Sequence, residues 1–183
     1  MSHPTITRSH SSEPGNRSRI LMKHLILIRH AKSSWKGSTL DDRERPLNRR
    51  GERDAPEMGV RLARRNVKPE LIVSSPALRA LETARIIAKS LGYARNEIVV
   101  KERLYGAGVV ELLDVIRNAD ESVATLMLFG HNPGLTELAN HLGPRPIPNL
   151  PTCGVLHLKF EADVWPVVGY ARGDEVLFDF PKS

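Results

Sequence analysis

Strand and helix patterns alternate four times along this chain, and that alternation limits its possible folds more than any other feature. Short, nearly continuous apolar runs predict strands at 24–28, 71–74, 98–101 and 125–129. A helical pattern follows each of these runs, and the C-terminal part alternates apolar and polar residues as edge strands do. The pattern predicts a three-layer α/β/α sandwich with a mainly parallel central sheet and an antiparallel edge.

Capping residues and prolines locate the helix starts. Asn48 is expected to cap the first helix, with Pro56 kinking or interrupting its early turns. Pro76 suits the first position of the second helix. Asn132 and Pro133 are expected to supply the cap and first turn of the helix after the fourth strand.

Length and cysteine content exclude several classes of protein. The 183 residues suffice for one domain with its own core. No apolar run approaches the roughly 18 to 20 residues of a membrane span, so we expect no membrane association. The single cysteine, Cys153, excludes an internal disulfide and favours a reducing, cytoplasmic location. Cysteine and histidine do not fall at zinc-site spacings, and we predict no metal or other cofactor.

The N-terminal arm, residues 1–22, is rich in Ser, Pro and Arg and is predicted to be disordered, with the folded domain at 23–183. It is either a tail or a gene-start artefact, with Met22 as the natural start, or a targeting peptide, and we favour the first two readings.

The net charge of +6 has a local origin. Nine basic and four acidic residues lie between Arg43 and Lys68, which indicates either a solvated helix face or a partner-facing surface. Aromatic residues are only 5% of the chain and no nucleic-acid-binding motif is present, so we expect no nucleic-acid partner.

Charged and imidazole side chains follow the predicted strands, and ligands of open α/β sheets bind at that edge. The residues in question are Arg29 and His30 after the first strand, Ser74, Ser75 and Arg79 after the second, Glu102 after the third, and His131 after the fourth. Arginines bind phosphate oxygens with a planar fork, and a neutral imidazole can attack phosphorus. A second imidazole or a carboxylic acid can donate a proton or a hydrogen bond. These groups predict a metal-free phosphoryl-transfer site.

Three segments resemble the motifs of a known family. LIRHAKSSW at 27–35, SSPALRALETA at 74–84 and GHNPG at 130–134 resemble the histidine phosphatase superfamily, whose first motif contains Arg-His-Gly. RPLN at 45–48, followed by Gly51, is similar to SixA-type phosphohistidine phosphatases. The resemblance covers about residues 23–182.

The resemblance implies a role for each matching residue. His30 would be the nucleophile that becomes phosphorylated, and the phosphoryl group would be held by Arg29, Arg79 and His131. Ser33 and Lys36 would add substrate contacts.

The sequence departs from the family pattern at two places, and it leaves the choice of general acid open. Ala31 replaces the usual glycine, as expected in SixA-like members, and Lys36 stands where many mutase-like members carry Asn. Glu102 is the first choice for a general acid, Glu111 is the second, and a site without an acid remains open.

The size of the chain bears on the substrate. About twenty residues separate Glu102 from the fourth strand, which leaves room for one helix and a shallow, open pocket. Such a pocket admits phosphohistidine on another protein, for instance a histidine-phosphotransfer domain in signal transduction. The alternatives are a small-molecule phosphomonoesterase of the same superfamily and an inactive phosphate- or protein-binding module.

Overall fold

The computed structural model describes residues 22–34, 41–170 and 172–182. Most of the predicted N-terminal arm and Lys36 lie outside these ranges. Met22, assigned to the arm from sequence, is the first residue of the first strand.

One six-stranded sheet forms the centre of the protein. Its strands are β1 (Met22–Arg29), β2 (Leu71–Ser74), β3 (Val99–Val100), β4 (Thr125–Gly130), β5 (Val155–Glu161) and β6 (Asp174–Asp179). The strand order is β3-β2-β4-β1-β5-β6. The first four are parallel neighbours, whereas β5 pairs antiparallel with β1 and β6 pairs antiparallel with β5. The prediction of a mainly parallel sheet with an antiparallel edge is confirmed.

Four α-helices cover the two faces of the sheet. They are α1 (Arg49–Arg64), α2 (Leu78–Ser90), α3 (Val109–Arg117) and α4 (Gly134–Leu142). Ile26 and Ile28 of β1 are fully buried in one core cluster with residues of α1 and α2, whereas Leu25 and Leu27 are fully buried with α3 and α4. Helices on both faces explain why the β1 sequence is continuously apolar.

The helix boundaries correct the predictions made from proline. Pro56 lies inside α1, which continues without a break. Its ring is exposed, and the apolar side chains beside it anchor the helix in the core, which outweighs one lost hydrogen bond. Ala77 rather than Pro76 precedes the first residue of α2. Pro133 itself occupies the cap position of α4, so neither proline lies within a first helical turn.

The parallel strands place their carboxyl ends at one edge of the sheet. Arg29 pairs with Gly130, so the residues that follow β1 and β4 leave the sheet side by side. Ser74 pairs with Phe129, which brings the end of β2 to the same level. In the described ranges, no helix combines the length and apolar character required to cross a membrane.

Candidate active site

His30 is the first residue after β1, and its ring is fixed by its own backbone neighbour. Its Nδ1 lies 2.7 Å from the carbonyl oxygen of Ala31. Because a carbonyl only accepts, Nδ1 carries the proton and Nε2 keeps its lone pair. Burial, reinforced by the charges of Arg79 and Arg29, lowers the pKa of His30 to about 4. At neutral pH this side chain is therefore an uncharged imidazole with a nucleophilic Nε2.

His131, the first residue after β4, lies beside His30. The two ring centroids are 5.1 Å apart. Nε2 of His131 lies 2.7 Å from the hydroxyl oxygen of Ser75, which is fully buried and directly follows β2. Burial, followed by the proximity of His30, lowers the pKa of His131 to about 3. Both imidazoles are therefore neutral at pH 7, and in each ring one nitrogen donates a hydrogen bond and the other accepts one.

Arg29 is oriented by the loop before β5. Its Nη1 donates to the carbonyl oxygen of Leu150 at 2.9 Å and to Oδ1 of Asn149 at 3.4 Å. The amide nitrogen of Asn132 donates to the same two oxygens, at 3.1 and 2.7 Å respectively. The guanidinium is thus held from one side by a network that also includes the residue after His131.

Buried polar atoms without partners are concentrated at this edge. Within residues 22–34, 41–170 and 172–182 there are three such side-chain atoms: Arg29 Nε, His131 Nδ1 and Asn132 Oδ1. Buried polar atoms are almost always hydrogen-bonded, so a cluster of exceptions is typical of a site that binds a polar ligand.

Arg79, in the first turn of α2, meets an acidic residue that the sequence analysis missed. Its Nη1 donates to the backbone oxygen of Asp42 at 2.6 Å, and its Nη2 donates to Oδ2 of Asp42 at 2.9 Å. The same carboxylate accepts from the hydroxyl of Tyr105 and from Arg45, both at 2.7 Å. The Tyr105 ring packs edge-on against His131, with centroids 6.0 Å apart.

Asp42 is consequently a stable anion. The hydrogen bond from Tyr105, then those from Arg45 and Arg79, hold the pKa of its carboxyl well below its usual range. The available sequence signal was weak: Asp42 stands three residues before Arg45, at the spacing of a local ion pair, next to a strongly basic stretch.

Thr83 ties the His30 loop to the helix that carries Arg79. Its Oγ1 accepts from the backbone N–H of Ala31 at 3.0 Å and donates to the backbone oxygen of Arg79 at 2.6 Å. Thr83 is fully buried. It lies inside the second family-like segment, but its role becomes visible only through these contacts.

Ser33 is buried, and its hydroxyl accepts from Nη2 of Arg45 at 2.8 Å. Its backbone pairs with Leu47, which fastens the loop after His30 to the segment before α1. Lys36 lies outside the described residues.

Each of the two candidate general acids, Glu102 and Glu111, already has a hydrogen-bonding partner. Glu102 is 73% exposed and forms an ion pair with Arg43 at 2.9 Å, and the guanidinium of Arg43 stacks 4.4 Å over the ring of Tyr105. Glu111 accepts from the backbone N–H of Gly108 at 2.9 Å and so caps α3. Glu102 therefore lies on the solvent side of Arg43 and Tyr105, and its assignment as the general acid stays a prediction.

Cys153 lies under the site. Its backbone N–H donates to the carbonyl oxygens of Arg29 and His30 at 3.1 Å each, and burial raises the pKa of its thiol to about 12. Cys153 therefore supports the loop after β1 through its backbone. Across the described ranges, no three His, Cys, Asp or Glu side chains are grouped to hold a metal ion.

Comparison with known sequences gives a family and a relative for this chain. The sequence profile of the histidine phosphatase superfamily (branch 1) matches residues 25–111. An uncharacterised chloroplastic protein of Arabidopsis thaliana is 31% identical over 153 residues, which are 79% of this chain and 70% of that protein.

Solved structures agree over most of the chain. A structure from Agrobacterium tumefaciens, assigned as the phosphohistidine phosphatase SixA, is 25% identical with a TM-score of 0.75 and covers 87% of this chain and 98% of its own. The protein histidine phosphatase SixA in complex with tungstate is 20% identical with a TM-score of 0.69 and covers 86% and 96%.

Proposed function

Because this chain belongs to the histidine phosphatase superfamily and has the fold of its SixA-type members, we propose that it removes phosphate from phosphohistidine on a protein. In this proposal the reaction needs no metal and passes through a phosphorylated His30. The observation that carries it is the imidazole of His30, which is neutral and half-buried and whose proton is held on Nδ1 by the hydrogen bond to the Ala31 carbonyl. This is the form in which Nε2 attacks phosphorus.

The first step transfers the phosphoryl group to His30. Nε2 forms a bond to phosphorus as the bond between phosphorus and the substrate imidazole breaks, and the departing imidazole takes a proton from solvent. Arg29, through its unpartnered Nε, and Arg79 are the cations that would balance the negative oxygens. His131 would donate a hydrogen bond to the same group.

Water completes the cycle. Its oxygen attacks phosphorus, the bond to Nε2 of His30 breaks, and the products are inorganic phosphate and the free enzyme. The proton released by water passes to solvent or to the phosphate. This second step resembles the first with water in place of the substrate imidazole, so the same cations serve both.

The position of Glu102 favours a phosphoramidate over a phosphoester. A phosphoester must have its alkoxide protonated, which requires an acid near the leaving group. Glu102 is exposed and paired with Arg43, whereas Glu111 caps a helix. Phosphohistidine leaves as imidazole, which is a much better leaving group than an alkoxide and tolerates such a site.

A basic surface next to the site supports a protein substrate. Gly51 of α1 packs so closely on the backbone oxygen of Lys32 that the first turns of α1 adjoin the His30 loop. These turns carry Arg49, Arg50 and Arg53, and the last two donate to the buried carboxylate of Asp54. We name Arg49, Arg50 and Arg53 the basic face, and an acidic phosphoprotein would complement it. That the partner is a cytoplasmic signalling protein remains a prediction from the sequence.

A substrate panel tests the proposal. We would offer a phosphorylated histidine-phosphotransfer domain, a phosphoserine peptide, sugar phosphates and an aryl phosphate to the wild type, His30→Ala and the control His141→Ala, which alters an exposed histidine of α4. We expect the phosphotransfer domain to be the best substrate, with activity lost only in His30→Ala. A phosphoenzyme trapped in alkaline denaturant should be absent from that variant.

Two results would contradict the proposal. Efficient cleavage of sugar phosphates with the phosphotransfer domain left intact would indicate the small-molecule phosphomonoesterase. Phosphate binding without any turnover, unchanged by His30→Ala, would indicate a binding module.

A further inference from the structure

Both terminal nitrogens of Arg79 are occupied by a single residue of the same chain. Nη1 binds the backbone oxygen of Asp42 and Nη2 binds its carboxylate, at 2.6 and 2.9 Å. A phosphoryl group binds arginine through the same two-pronged geometry. Asp42 therefore uses the part of Arg79 that a phosphoryl group would use.

The two partners differ in how firmly they are held. The side chain of Arg79 is 8% exposed, and its backbone oxygen is fixed by Thr83. The side chain of Asp42 is 40% exposed and lies on a single 3-10 turn, Asp42–Glu44, in which no residue is buried. On moving into water the partly hydrated carboxylate would exchange its hydrogen bonds for hydration, whereas the buried guanidinium has no such replacement and would be left unpaired. An incoming anion would thus displace Asp42 and keep Arg79 in place.

We propose that Asp42 is an internal competitor of the phosphoryl group, which occupies Arg79 in the free protein and is displaced when substrate or phosphate binds. The inference rests on the proposed function, because it takes Arg79 as a phosphoryl ligand. Asp42 thereby weakens the binding of every phosphorylated ligand by the same factor, including the product, and so assists the release of inorganic phosphate.

Tyr105 and Arg45 set the strength of this competition. Each contributes a hydrogen bond of 2.7 Å to the Asp42 carboxylate. Because the Tyr105 ring also packs on His131, movement of Asp42 would change the surroundings of His131. Asp42 is in this view a residue that sets phosphoryl affinity, not a proton donor.

The test is the affinity of the whole chain for inorganic phosphate, measured by titration calorimetry. Asp42→Asn keeps the shape and removes the charge, and Asp42→Ala removes the side chain. Asp41→Asn is the matched control, because it makes the same charge change one residue away, where the side chain caps the turn by accepting from the Arg43 N–H. We expect both Asp42 variants to bind phosphate about fivefold to tenfold more tightly, with stronger product inhibition, and the control to stay within about twofold of the wild type.

Weaker or unchanged phosphate affinity in folded Asp42→Asn and Asp42→Ala would overturn the inference, because Asp42 would then only orient Arg79. An equal gain in Asp41→Asn would also overturn it, since the effect would be one of general charge. If neither the wild type nor the variants bound phosphate, the proposed function would fail together with the inference.

Discussion

The carbonyl oxygen of Ala31 accepts a 2.7 Å hydrogen bond from Nδ1 of its neighbour His30. This contact decides which ring nitrogen bears the proton, and it is independent of any other side chain. The buried, cation-rich surroundings then keep the ring uncharged. The local backbone therefore fixes the tautomer of the proposed nucleophile, while burial and then the surrounding arginines lower the pKa of its ring.

The fall of kcat/KM in acid should occur at an unusually low pH. Because the pKa of His30 is about 4 in the free protein, kcat/KM should stay high as the pH falls below 6.5, the usual range for histidine. It should then decline near pH 4, as protonation removes the lone pair of Nε2. An aryl phosphate is the suitable substrate, because phosphohistidine hydrolyses in acid. A midpoint near pH 6.5 in kcat/KM, after correction for ionisation of the substrate, would contradict this assignment.

Removing the Thr83 hydroxyl should damage the site more than the fold. Thr83→Val keeps the volume but leaves the Ala31 N–H and the Arg79 carbonyl without their buried partner. We expect the free energy of unfolding to fall by about 1 to 3 kcal/mol and kcat by about tenfold. Thr83→Ser, which retains the hydroxyl, should recover most of the activity. Equal kcat values in the two variants would show that the hydroxyl does not position the site.

The sequence predicted the parts of the fold that depend on local pattern. The uninterrupted apolar run of β1 reflects burial on both faces of the sheet, and the parallel order then places Arg29 and His131 at one edge. β3 was harder to delimit, because only Val99 and Val100 pair with β2 at the margin of the sheet.

Long-range polar contacts were beyond the reach of the sequence. Asp42 lies 37 residues from Arg79 along the chain and contacts it through a short turn that has no periodicity. Glu102 was chosen because it follows a strand, yet its side chain turns outward to Arg43. Strand ends predict where a site is, whereas the pairing of individual charges there depends on loops.

Removing positive charge from the basic face should raise KM for phosphoprotein substrates alone. Arg49→Glu combined with Arg53→Gln lowers the net charge by three, and glutamine avoids placing a second carboxylate beside buried Asp54. We expect KM for a phosphorylated phosphotransfer domain to rise about tenfold at low salt, with little change for an aryl phosphate.

Arg64→Glu with Arg65→Gln makes the same change of charge at the far end of α1 and serves as the control. If the two double variants had equal effects on the phosphoprotein, net charge rather than the basic face would explain the loss.

A pair of histidines, buried His157 and half-buried His24, should make the fold sensitive to acid. Nδ1 of His24 lies 2.9 Å from Nε2 of His157, between β1 and β5 at the end of β1 remote from Arg29. Burial lowers the pKa of both rings, that of His157 to about 4. The unfolded chain takes up protons near pH 6.5, whereas folded His157 does so only near pH 4 and the pKa of folded His24 is also lowered, so stability is lost as the pH falls through this window.

The contribution of this histidine pair to the stability lost in acid can be measured separately. The shift of His157 corresponds to as much as about 3 kcal/mol. His30 and His131 add losses of the same sign. We expect His24→Gln/His157→Leu to be less stable at pH 7 but to lose about 2 kcal/mol less than the wild type between pH 7 and pH 4, in urea titrations. His141→Gln, at an exposed position, should keep the wild-type slope, and an equal slope in the double variant would contradict the expectation.

Two glycines of α1 offer a final comparison, because an alanine at each meets a different kind of neighbour. A Cβ at Gly51 would lie 2.2 Å from the backbone oxygen of Lys32, whereas a Cβ at Gly59 would lie 2.6 Å from the hydroxyl oxygen and 2.8 Å from Cβ of Ser90. Relief at Gly59 needs rotation of the Ser90 hydroxyl and a small shift between α1 and α2, whereas the Lys32 carbonyl cannot move without shifting the loop that begins at His30.

Gly51→Ala should therefore lower the free energy of unfolding by about 2 kcal/mol and reduce kcat, despite the gain of about 1 kcal/mol in helix propensity. Gly59→Ala has the same propensity gain, which should offset part of the cost of shifting Ser90, so we expect it to lose less stability than Gly51→Ala and to keep its kcat unchanged. Thermal unfolding and aryl phosphate turnover measure both. A fully active Gly51→Ala protein would mean that α1 can separate from the His30 loop without disturbing the nucleophile.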